Sequence, residues 1–205
     1  MNMQVRFGAV IPAAGLSERM GAFKPLMPFG DSTVIESAVA SVLPYVSSVV
    51  VIVGNRSDEV AAVLRERFGR RVSIVRNPDY RSSDMLRSVQ LGLRAMGACE
   101  AFFLLPGDMP AVPDEAFGLL TAALDPDTEV LYPVCGGRRG HPPLIRSSLI
   151  PDIIAYRGDG GLRAVLAGRI ERQVDVPSGG ILADLDTPED YEKLQSSQSA
   201  APDGV

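Results

Sequence analysis

The chain has no tryptophan, one histidine and two cysteines among its 205 residues. With so few imidazole and thiolate donors it cannot assemble a four-ligand His/Cys zinc cluster, and Cys99 and Cys135 provide no disulfide framework, which fits a reducing cytoplasm. Basic residues are not in excess. Twenty Lys and Arg against 25 Asp and Glu leave a net charge of −5, which gives no electrostatic footprint for a polynucleotide backbone. Long apolar runs are scarce too: the longest clusters, near 49–53 and 101–105, fall far short of the roughly 20 residues a membrane-spanning helix needs. Neither nucleic acid nor membrane is expected as a partner. A composition 46% hydrophobic and 22% charged excludes a disordered or fibrous chain and suits one compact domain.

What is present is an alternation. Short runs rich in Val, Ile and Phe recur between longer stretches with helical spacing, the pattern of a sheet with crossover helices. Strands are predicted at about 6–12, 49–53, 72–76, 101–105 and 129–134, each nearly continuous in apolar residues as burial on both faces requires. A helix is predicted from Ser32 or Thr33, where Thr33 and Glu36 have capping-box spacing and Ile35, Ala38, Val39 and Val42 form one stripe. Ser57 is expected to cap a second helix, with Asp58 and Glu59 at the positive end of its dipole. A third spans about 84–96, and Pro113 suits the first position of a fourth whose stripe is Phe117, Leu120 and Leu124. The start of the chain imitates a secretory signal, but Pro12 interrupts the apolar stretch and a buried strand entering a glycine-containing turn is the better reading.

After residue 135 the pattern changes to a glycine- and arginine-rich hairpin or loop at 136–140 and short helices near 147–155 and 160–168. The expected domain is 1–195. Residues 196–205 are small, polar and proline-containing, and read as a disordered tail. A parallel sheet with right-handed crossovers puts the loops after its strands over one edge, where a ligand crevice is expected.

The loop after the first strand holds Ala13, Ala14, Gly15, Arg19, Gly21 and Lys24. Small residues let backbone amides approach an anion, and two cations on one loop suit a polyphosphate. No Gly-Lys-Ser/Thr follows, so this is not a Walker loop, and the three-glycine dinucleotide fingerprint is absent, which disfavours a dehydrogenase. By composition alone it is equally a surface turn with two solvated cations.

These residues resemble the small nucleotidyltransferases that use a nucleoside triphosphate to cap a phosphorylated acceptor. Their motif A-A-G-x-S-x-R-M-G-x-x-K is matched from Ala13 to Lys24, and the chain is most similar to the molybdenum cofactor cytidylyltransferases and the related molybdopterin-guanine dinucleotide synthases. Four further motifs carry the likeness: Gly107-Asp108-Met109-Pro110, Gly137-Arg138-Arg139-Gly140-His141-Pro142, Gly158-Asp159-Gly160-Gly161, and Asp184-Leu185-Asp186-Thr187-Pro188. The resemblance covers about 6–195. It implies a Rossmann-like three-layer α/β/α fold with a mainly parallel sheet, Mg2+ as cofactor, CTP and a molybdopterin-type phosphate as substrates, and a molybdoenzyme or its maturation factor as recipient of the product.

It also assigns roles. Ala13, Ala14, Gly15, Arg19, Lys24, Ser88 and Asp108 are the expected nucleotide contacts, with Arg19, Lys24 and Asp108 catalytic. Asp108 follows an apolar strand, where a hard oxygen ligand can meet solvent, although a Gly-Asp pair there also suits a simple turn. Asp184 and Asp186 alternate on an extended segment and share a face, so either can be the second metal ligand; Asp184 is favoured because Asp186 also suits a helix N-cap. Arg138, Arg139 and His141 are expected at the acceptor, where a guanidinium can fork onto phosphate. The chain departs from the family at Asp84, where Gly is usual and a positive φ is the concern. Ser88, Val89 and Gly92 resemble the nucleotide-contacting helix start of the methylerythritol-pathway cytidylyltransferases, and Ala13 stands where guanylyltransferases of the family carry Gly, leaving less room for a purine. Transfer of CMP from CTP to molybdopterin is the expected reaction. The alternatives are a sugar, alditol or choline phosphate acceptor, guanylyl transfer to the same cofactor, or a non-catalytic carrier of finished cofactor.

Overall fold

The computed structural model describes residues 6–16 and 20–199. Apolar runs become the strands β1 (Phe7–Ala13), β4 (Ser48–Val53), β5 (Val72–Arg76), β6 (Ala101–Leu104) and β7 (Val130–Cys135), each within about two residues of the sequence reading. Between and after them stand α1 (Val34–Val42), α2 (Ser57–Phe68), α3 (Met85–Ala95), α4 (Asp114–Ala122), α5 (Ile150–Ala155), α6 (Gly161–Leu166) and α7 (Pro188–Ser199). The remaining strands are short: β2 (Pro28–Phe29), β3 (Ser32–Thr33), β8 (Arg138–Arg139), β9 (Leu144–Arg146) and β10 (Glu171–Asp175).

The main sheet runs β10-β7-β9-β6-β1-β4-β5, with β8 hairpinned onto β7. β1 pairs in parallel with β4 and β6, β4 with β5, and β7 with β10, whereas β9 is antiparallel to both β6 and β7. Alternation along β1 sends Ala9 and Ile11 to a core under α1, α2 and α4, while Val10 joins a second core under α3, α5 and α6. This is a three-layer α/β/α sandwich with a mainly parallel sheet, which explains why the central strands β1 and β6 carry no polar side chain and β4 only Ser48 at its start. Gly92 lets α3 lie close: a Cβ there would stand 2.6 Å from Ile52 Cδ1 and 2.8 Å from Val10 Cγ1. Among the described residues, no helix is long and apolar enough to cross a membrane.

Several local expectations are corrected. Ser57 is the first residue of α2 and not its cap; Arg56 takes that position with φ 46° and no side-chain capping bond. Pro113 is the N-cap of α4, which starts one residue later. The helix α7 runs on to Ser199, four residues into the expected tail. By contrast Thr33 and Glu36 form the capping box of α1 as expected.

Candidate active site

Loops leaving the carboxyl ends of β1, β4, β5 and β6 meet over one edge of the sheet. Gly107 ties two of them: its N–H donates to Pro12 O at 3.0 Å, and a Cβ on it would lie 2.8 Å from that of Ala13. Next along, Asp108 O accepts from Leu185 N at 3.1 Å. Leu185 itself is buried in a small cluster with Phe29 and Val34, packed against Tyr191 and Leu194 of α7. An apolar anchor between two aspartates therefore pins Asp184 and Asp186 beside the Asp108 loop.

Lys24, in a single 3-10 turn, is 8% exposed. Its Nζ lies 2.9 Å from Asp186 Oδ1 and 3.4 Å from Asp108 Oδ2. A buried ammonium needs such partners, since an unpaired charge in that setting costs several kcal/mol or more. The structure thus brings Asp186, and not the favoured Asp184, onto the same point as Asp108. Nor is Asp186 a helix cap: Thr187 and Asp190 exchange the capping bonds of α7 at 3.0 and 3.2 Å, which leaves the Asp186 carboxylate to Lys24. Asp184 is exposed and lines the larger cavity described below. Among the described residues, no group of three or more His, Cys, Asp and Glu side chains stands at metal-ligand spacing. A cation here would be held by a carboxylate pair, with oxygens of a substrate completing its shell.

Two cavities adjoin at this point. The smaller, about 220 Å³, is walled by Ala13, Ala14, Gly15, Asn77, Ser83 and Ser88 and closed by Lys24 and Asp108. The larger, about 760 Å³, is lined by Arg138, Arg139, His141, Asp184 and Asp186 and shares Gly15, Lys24 and Asp108 with the first. All sequence-identified site residues that the structure describes fall on one or both; Arg19 lies outside the described residues. Two of them act differently from expectation. Ala13 borders the smaller cavity but is 8% exposed and belongs to the core cluster of Ile35 and Leu105, so little of its bulk is left to narrow a base site. Asp84 has φ −80° and caps α3 by accepting from Arg87 N at 3.0 Å, so the missing glycine creates no strain.

The larger cavity owes its wall to the hairpin β7–β8, whose two-residue turn, Gly136-Gly137, has φ 56° and 74°. Such a turn needs positive φ at both positions, which glycine supplies without steric cost. His141 N donates to Ile181 O at 2.8 Å, docking the hairpin on the segment that leads to Asp184. Burial holds the His141 imidazole below its ordinary pKa against the opposing pull of Asp108 and Asp184. At neutral pH it is an uncharged hydrogen-bonding group. On β8 the arginines part: Arg139 forms a two-pronged pair with Glu171 and lies 4.7 Å from the Tyr132 ring centroid, while no described side chain pairs with Arg138.

Sequence reasoning missed Asn77. It is 2% exposed, its Nδ2 donates to Ser83 Oγ at 3.0 Å and Ser88 Oγ at 3.1 Å, and its Oδ1 accepts from Asp79 N at 3.0 Å. An Asn-Pro-Asp run reads as a turn, and only the fold shows that its amide reaches back to two serines.

The family model of the MobA-like NTP transferase domain matches residues 9–176. The molybdenum cofactor cytidylyltransferase of Escherichia coli K12 is 30% identical over 184 residues, 89% of this chain and 92% of its own length. A probable molybdenum cofactor guanylyltransferase of Bacillus cereus G9842 is 28% identical over 134 residues, 65% of this chain and 64% of its own length. Among solved structures, a nucleotidyl transferase from Methanothermobacter thermautotroptrophicus superposes with a TM-score of 0.81 at 26% identity, covering 94% of this chain and 97% of that one. With its signature loop, its sheet and its paired cavities, the chain belongs to the MobA-like NTP transferases and is a nucleotidyltransferase.

Proposed function

We propose that the protein transfers CMP from CTP to the terminal phosphate of molybdopterin, or of its molybdenum complex, with magnesium as the metal. The observation that carries this reading is the junction at Lys24 and Asp108, where a base-sized cavity opens into a larger one. In the reaction an acceptor phosphate oxygen forms a bond to the α-phosphorus of CTP as the α–β bridging bond breaks, and pyrophosphate leaves. A phosphate monoester is already anionic near neutral pH, so positioning and charge neutralisation supply most of the rate and no protein nucleophile is required.

Lys24 neutralises charge at the reacting phosphates. The signature loop of Ala13, Ala14 and Gly15 presents backbone amides to the triphosphate, with Arg19 assigned to its outer phosphates by the family motif. Arg138 and His141 face the acceptor, His141 as a neutral hydrogen-bonding group. Arg139, tied to Glu171, shapes β8. The carboxylates of Asp108 and Asp186 converge on one cation, Lys24 Nζ, and so fit a hard divalent ion, which Asp108 and Asp186 would hold. When bound, that ion supplies Lewis-acid polarisation of phosphoryl oxygens.

Pyrophosphate release with each of the four triphosphates, using molybdopterin and then sugar or alditol phosphates as acceptors, tests this reading. CTP with molybdopterin should exceed GTP by at least about tenfold, roughly 1.4 kcal/mol. The similarity to a guanylyltransferase makes GTP the second reading. A GTP preference would establish it, and faster turnover with a sugar phosphate would replace the acceptor.

A further inference from the structure

The smaller cavity contains a hydrogen-bond chain whose direction is fixed. Asp79 N is a backbone amide and can only donate, so the Asn77 atom that receives it is the carbonyl oxygen. The other end of that side chain is then the NH2, which spends its two protons on Ser83 Oγ and Ser88 Oγ. Each serine oxygen thus already accepts, and among the described residues neither hydroxyl proton has an acceptor. Ser83, Ser88 and Asn77 all wall the cavity. The Asn77 backbone is anchored as well, its N–H donating to Val53 O at 2.8 Å at the end of β4, and a flipped amide would set its NH2 against the Asp79 N–H.

Resting on the cytidylyl reading above, we infer that Asn77 is a specificity-positioning residue: it turns Ser83 and Ser88 into a pair of O–H donors that read the base. Two donors call for two acceptors on one ring edge. Cytosine offers O2 and N3 side by side, whereas uracil carries N–H at position 3; guanine presents N1–H and an exocyclic NH2 on the corresponding edge and keeps its own acceptor pair, O6 and N7, on the opposite edge of a larger ring. Discrimination by hydrogen bonding also explains how the site can select a base although Ala13 is largely buried in the core. A hydroxyl site that pairs with its substrate rejects an analogue lacking the partner atom more strongly than a size filter does.

The test is calorimetric binding of CTP, UTP, GTP and the triphosphate of 3-deazacytidine, with magnesium, to the full chain and its variants. The unaltered protein should bind CTP at least tenfold more tightly than 3-deaza-CTP, which differs in the single N3 atom. In the Ser83→Ala/Ser88→Ala double variant the two should bind alike. Asn77→Asp exchanges the NH2 for an acceptor at constant shape, turns both hydroxyl protons inward, and should compress the CTP preference over UTP toward unity. A merely structural Asn77 would weaken all nucleotides in proportion and leave the ratios unchanged. If unaltered protein prefers GTP, the cytidylyl reading itself fails. If it prefers CTP but binds 3-deaza-CTP equally well, or if folded Asn77→Asp keeps the parental ratio, the reading stands and the role of Asn77 is overturned. Should Asn77→Asp not fold, the 3-deaza comparison in unaltered and double-variant protein decides alone.

Discussion

The ammonium of Lys24 separates two aspartates that are only two positions apart in the chain. Asp186 is bonded to it and Asp184 is exposed on the far side of buried Leu185. Alternation on an extended segment was legible in the sequence, but the partner of each carboxylate was not, because Lys24 comes from 162 residues away. Asp186→Asn should lower turnover by about 100-fold, the usual effect of removing one preorganised charge from a reacting phosphate. Asp184→Asn should stay within about threefold, since an exposed charge couples weakly. Initial rates across a magnesium titration check both, and the reverse ranking would move the metal to Asp184. Ala13 gives a second contrast. With its methyl in the core beside Ile35, Ala13→Gly should leave the CTP-to-GTP ratio within about twofold while costing roughly 1 kcal/mol or more of stability. A shift toward GTP would return the size filter to this position.

Central strands were readable because burial on both faces leaves a continuous apolar run, and α1 because Thr33 and Glu36 announce its capping box. The edge strand β10 was not readable. Its sequence Glu171-Arg172-Gln173-Val174-Asp175 is largely exposed, and backbone pairing with β7 holds it in place of side-chain burial. β9 has only three residues and takes its identity from two neighbours. Glycines show the same divide between local and long-range causes. Gly118 lies inside α4 with nothing nearer than Tyr45 Cε1 at 4.0 Å, so Gly118→Ala should stabilise by up to about 1 kcal/mol through helix propensity. A Cβ on Gly140 would collide with the Ile181 carbonyl. The backbone cannot yield there, so Gly140→Ala should destabilise by about 1 to 3 kcal/mol and loosen the hairpin from the 181–186 segment. Denaturant titrations of the two variants should move in opposite directions; equal shifts would contradict the packing described.

The two cavities, assigned above to nucleotide and acceptor, meet along a shared border that includes Gly15, Lys24, Tyr80, Ser83 and Asp108. Residues of the sequence motifs line both cavities, while their division into two needed the β7–β8 hairpin docked on the segment that leads to Asp184. Arg138→Ala should raise the acceptor's apparent constant by about tenfold or more, the worth of a hydrogen bond to a charged group, with CTP affinity within about twofold. Arg139→Ala should cost at most about 1 kcal/mol of stability through its exposed pair with Glu171 and leave acceptor kinetics nearly unchanged. Equal effects of the two would dissolve the distinction drawn on β8. The central claim is that one nucleotidyl group passes between these cavities to a molybdopterin phosphate. It is tested most directly by following the label of CTP carrying 32P at the α-phosphate, with magnesium and molybdopterin. The result expected is label in a molybdopterin cytosine dinucleotide, matched one for one by unlabelled pyrophosphate. Label recovered only as CTP or free CMP, or carried onto a sugar phosphate in preference to molybdopterin, would contradict it.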